Sequence, residues 1–215
     1  PANPRAEAEV QSLRGAYWYA IAVKASHDPA QVEFVRQASE KAIEAYQRCH
    51  AIYEPAGHDV AIQWMLAASH VLHAAGLAQQ GDNVQAVAEI RAACAEQEKL
   101  LQAIDAEGAE LLSAWSELDP TLGLRAGASE NRGLQTLPWR FSLAESRVLL
   151  ADMAGYNADD ADANFARARE AVSALGPANQ FSPAVAIRVG QMKSRLAQYY
   201  STLPASVSLA QELAR

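Results

Sequence analysis

The chain reads as an all-α protein built from antiparallel helix hairpins. Three observations lead there. Half of its 215 residues are hydrophobic and alanine dominates them, and alanine is the best helix former and a poor strand residue. At least seven segments repeat their apolar residues at helical spacing, while alternation of the strand kind is nearly absent. The breaks between segments are Gly, Pro and Asp clusters placed where helices start and stop.

The elements follow in order. A first helix is expected over about 5–26. In "SHDPAQ", Asp28 can cap the second helix and Pro29 can take its first position. The stripe of that helix is Val35, Ala38, Ala42, Tyr46, Cys49 and Tyr53, and Pro55 and Gly57 end it. Asp59 can cap a third helix over about 60–80, Gly81 breaks it, and a fourth runs from Asp82 to about Ile104. A shorter helix over about 107–118 ends before Asp119-Pro120. The segment "PTLGLRAGASENRGLQTLP", residues 120–138, is Gly-rich and without period. Loops of that length inside a compact domain are uncommon and often functional. A sixth helix is expected over about 139–155. The seventh starts in "NADDADAN" with the stripe Ala161, Phe165, Ala168, Val172, Leu175. The eighth follows Ser182-Pro183 with Val185, Val189, Met192, Leu196, Tyr199 and Leu203. A last short helix over about 206–214 is expected. The organisation is N-terminal hairpins over 1–118, a Gly-rich loop over 119–138, and C-terminal helices over 139–215 sharing one core.

Composition narrows the function. The net charge is −7, which argues against broad electrostatic binding to nucleic acid or anionic membrane. No apolar run approaches the roughly 20 residues needed to span a bilayer. The polar start "PANPRAEAEV" could follow a removed signal peptide or a lipidated cysteine stub, pointing to an exported or periplasmic bacterial protein, with the cytoplasm as the alternative. Cys49 and Cys94 lie in separate expected helices; a disulfide or two buried thiols are equal alternatives.

"AASHVLHAAGLAQQGDNVQAVAEIRAACAEQ", residues 67–97, is a helix, a Gly-Asp turn and a second helix with small, large and small residues at Ala86, Ile90 and Ala93. The same triple recurs at Ala161, Phe165, Ala168 and, more weakly, at Ala42, Tyr46, Cys49 before Pro55. This pattern resembles the tetratricopeptide repeat, whose unit of about 34 residues packs two helices through small positions. The family's first-helix Trp and Leu-Gly are replaced here by His70, His73 and Ala74, and the units are irregularly spaced. The resemblance implies a groove that binds a peptide or partner protein without chemistry. It implies that Ala68, Val71 and Ala75 line that groove, while His70 and His73 pack against the second helix.

Other residues carry competing readings. His70 and His73 stand three apart on one helical face, and Cys49-His50 lie on the preceding helix. Those four could converge as a zinc, copper or haem site in a helical bundle. "YQRCH" has Tyr46 where a C-x-x-C-H haem site needs cysteine. "NADDADAN" fails as a calcium loop, because Phe165 and Ala171 occupy its Gly and Glu positions. Arg125, Arg132, Trp139 and Arg140 around the Gly-rich loop have the composition of an interaction hot spot. No P-loop, nucleophile-elbow or dinucleotide glycine pattern is present. The expected function is therefore a non-catalytic binding or scaffold module with no cofactor, and the alternative is the metal- or haem-binding bundle.

Overall fold

The computed structural model describes residues 4–53, 60–107, 137–155, 160–177 and 181–203, with 210 and 213. All regular structure among them is helical. The expected short helix over about 107–118, the loop 120–136 and most of the expected last helix lie outside the described residues. The chain divides into two compact units, Pro1–Ala103 and Ile104–Arg215.

The first unit contains α1 (Pro4–Ala25), α2 (Val32–Tyr53), α3 (Val60–Gln79) and α4 (Asn83–Glu107), which continues past its edge. Adjacent helices pack, α1 on α2 and α2 on α3. Pro29 begins a short 3-10 turn, Pro29–Gln31, rather than the α-helix itself. The reason is local. The Asp28 carboxylate accepts the Ala30 N–H at 2.9 Å and tightens the turn before α2 begins. The α3–α4 turn is a Schellman motif: Asp82 N–H donates to the Leu77 carbonyl and Gly81 N–H to that of Ala78, both at 3.0 Å. Gly81 takes φ of +84° there, which a side chain would oppose. Asp82 then caps α4 by accepting the Gln85 N–H at 3.1 Å.

α1 and α2 approach closely because of small residues. The Tyr46 ring lies over Gly15, and the Cys49 thiol donates to the Ala8 carbonyl at 3.3 Å. Ala42, Ile43, Tyr46, Ile62 and Leu66 complete this core. Cys49 and Cys94 are both buried thiols.

The second unit contains α5 (Leu137–Ala154), α6 (Ala161–Ser173) and α7 (Pro183–Ser201). Every stripe residue expected on α6 is buried, as are Val185, Val189, Met192, Leu196 and Tyr199 on α7, while Leu203 beyond its end is partly buried. Phe165 stacks on Tyr199 with ring centroids 3.7 Å apart. Arg188 and Arg195 pair with Glu145 and Asp152 at 2.5 and 2.8 Å. Each partner is seven residues on from the last, so two turns of α7 run in register with two turns of α5.

Candidate functional site: the α3–α4 face of the first unit

α3 carries no Asp, Glu, Lys or Arg along its whole length, VAIQWMLAASHVLHAAGLAQ. Its two sides differ in burial rather than in polarity. Ala67, Ser69, His70, His73, Ala74 and Leu77 are buried. Trp64, Ala68, Val71 and Ala75, at steps of four, three and four, are each partly exposed. They form one uncharged strip along the helix.

The two histidines meet α4. His70 Nδ1 lies 2.5 Å from Oε2 of Glu89, and His73 Nδ1 lies 3.5 Å from Oε1 of the same carboxylate. Both residues are 8% exposed. Both ring nitrogens of His73 lack a hydrogen-bond partner among the described residues. Burial opposes the Glu89 charge, but the hydrogen bond from His70 and the nearness of His73 outweigh it and hold the carboxyl down at about 2. Glu89 lies on α4 between Ala86 and Ala93, both fully buried.

The cluster's chemistry is that of a part-buried carboxylate–imidazole pair that joins two helices. Cys49 is committed to α1 through Ala8, and His50 is partly exposed on α2. Among the described residues no group of three or more His, Cys, Asp or Glu side chains is arranged to hold a metal ion. Of the hot-spot residues, Trp139 is buried at 4% exposure and Arg140 is partly exposed, both on α5. Arg125 and Arg132 lie outside the described residues. No described helix is long and apolar enough to cross a membrane.

Sequence reasoning passed over two residues here. Trp64 stands four before Ala68 and so shares its face. Glu89 stands three after Ala86 and four before Ala93, the spacing that signals one helix face.

No protein-family model, curated protein or solved structure matches the chain.

Proposed function

We propose that the chain is a non-catalytic binding module of tetratricopeptide-like hairpins, with the outer face of α3 receiving a peptide or partner protein. One observation carries this reading: Trp64, Ala68, Val71 and Ala75 make a partly exposed strip on a helix that has no charged residue. Small side chains let a ligand backbone approach, and Trp64 supplies an amphipathic anchor of the kind that dominates binding hot spots. The repeat-like reading is supported by the three small–large–small triples, all of whose members are buried.

The test is selection of displayed peptides on the immobilised chain, followed by binding to variants. Ala68→Glu and Val71→Glu place a charge on the strip and are expected to weaken selected peptides at least tenfold, with helical content unchanged. Peptides that bind both variants as they bind the parent would overturn the reading. Metal analysis of the purified chain bears on the alternative. Stoichiometric zinc, copper or haem that disappears in His70→Gln/His73→Gln would favour the ligand-bearing bundle.

A further inference from the structure

α1 is apolar on two opposite faces. Ala8, Gly15, Ala22 and Ala25 are buried. On the other side Ala6, Val10, Leu13, Tyr17 and Ala20 recur at alternating steps of four and three, and all five are exposed. Val10 is 60%, Leu13 72% and Tyr17 60% exposed. That alternation is the seam of a two-helix coiled coil. Among the described residues nothing buries Val10, Leu13 or Tyr17. Tyr17 is held in place by an edge-on contact with Trp18, centroids 5.3 Å apart, and Lys41 sits 4.3 Å over the Trp18 ring.

From this we infer that α1 is a self-association surface, which pairs antiparallel with α1 of a second copy about a twofold axis between Gln11 and Ser12. In that register Val10 meets the partner's Leu13 and Leu13 meets the partner's Val10. The bulky Tyr17 meets the partner's Ala6, so large opposes small at both ends of the seam. The flanking charges decide for a second copy. In an antiparallel pair, positions that follow the seam on the same side face each other across it. Those positions are Glu7 and Arg14, both exposed. Glu7 therefore approaches the partner's Arg14, and the twofold axis makes the pair twice. Within one helix the two are about 10 Å apart along the axis, too far to neutralise each other. A parallel pairing would instead set Arg14 against the partner's Glu9 and leave Glu7 unanswered, so that reversing Glu7 would then not weaken the dimer.

Sedimentation equilibrium of the full chain over a range of concentrations tests this. The parent is expected to form a dimer. Leu13→Glu is expected to be monomeric with an unchanged far-UV circular dichroism spectrum, because within one chain the side chain is largely in water. Glu7→Arg and Arg14→Glu should each weaken the dimer about tenfold by opposing like charges, and the double reversal should restore the parent dissociation constant. A parent that stays monomeric at about 100 µM, an association weaker than about −5.5 kcal/mol, would overturn the inference. So would a dimer that survives Leu13→Glu, or one that ignores the charge reversals.

Discussion

Gly15 sits mid-helix beneath an aromatic ring. A Cβ there would stand 2.7 Å from Cε1 of Tyr46 and 2.8 Å from Cδ1 and Cζ, and Tyr46 is 1% exposed, with no open side to move into. Two effects compete in Gly15→Ala. Helix propensity favours alanine by about 1 kcal/mol, while overpacking a filled core costs about 1–3 kcal/mol. Overpacking is expected to win, lowering the unfolding free energy measured in urea by about 1 kcal/mol or more. A stabilised variant would mean that the ring yields. Glu89 gives a second prediction at this scale. Its carboxyl is held near 2 in the folded chain against an ordinary 4.5. A depressed acid stabilises the fold fully above its unfolded value and loses that contribution as pH falls toward its folded value. Glu89→Gln removes the charge-assisted bond to His70 and should cost about 1–3 kcal/mol near neutral pH. The gap between parent and variant should then close between about pH 4.5 and 2, as the parent's own carboxyl protonates. A gap that is constant over that window, followed by denaturant melts at each pH, would contradict the pairing.

At the scale of elements, α6 shows how far periodicity reaches. Ala161, Phe165, Ala168, Val172 and Leu175 follow from spacing alone, and all are buried. The partner does not follow, because a period defines a face without saying which helix covers it. The structure supplies α7: Phe165, fully buried, lies almost parallel to the Tyr199 ring, at an interplanar angle of 4°. The Tyr199 hydroxyl reaches back to Asp162 on α6. Phe165→Ala leaves a cavity under that ring and is expected to cost about 3–5 kcal/mol, the sum of lost transfer energy and incomplete collapse. Calorimetric or denaturant unfolding measures it. A loss below about 1 kcal/mol would place the ring at the surface, where substitutions stay small. Asp28 was legible as a cap because its chemistry is local, whereas Ser182 marked only a boundary in the sequence and proves to cap α7 by accepting the Val185 N–H. The 3-10 turn at Pro29 was not legible, because proline at a helix start suits either geometry.

For the whole molecule, fold class was the most legible property and function the least. Burial patterns in helices average over many residues, so single exceptions do not disturb them. The proposed site draws on two single residues: Trp64, which shares the face of Ala68 by spacing, and Glu89, whose contact with His70 appears only when α3 and α4 are placed side by side. α3 itself is the instructive case. It has no charged residue to mark its outer face, so the sequence offers no amphipathic contrast by which to separate the core side from the open one. A consequence can be measured on the intact chain. The described helices α1 to α7 hold well over half of the 215 residues, and the described part contains no strand. Far-UV circular dichroism is expected to show the double minimum of a predominantly helical protein. That signal should disappear with heat as packing is lost, because isolated helices of this length are marginal in water and depend on tertiary contacts. A spectrum with a substantial sheet component would contradict the fold. A helical signal that melts gradually, without a sigmoidal transition, would contradict the packed cores around Tyr46 and Phe165.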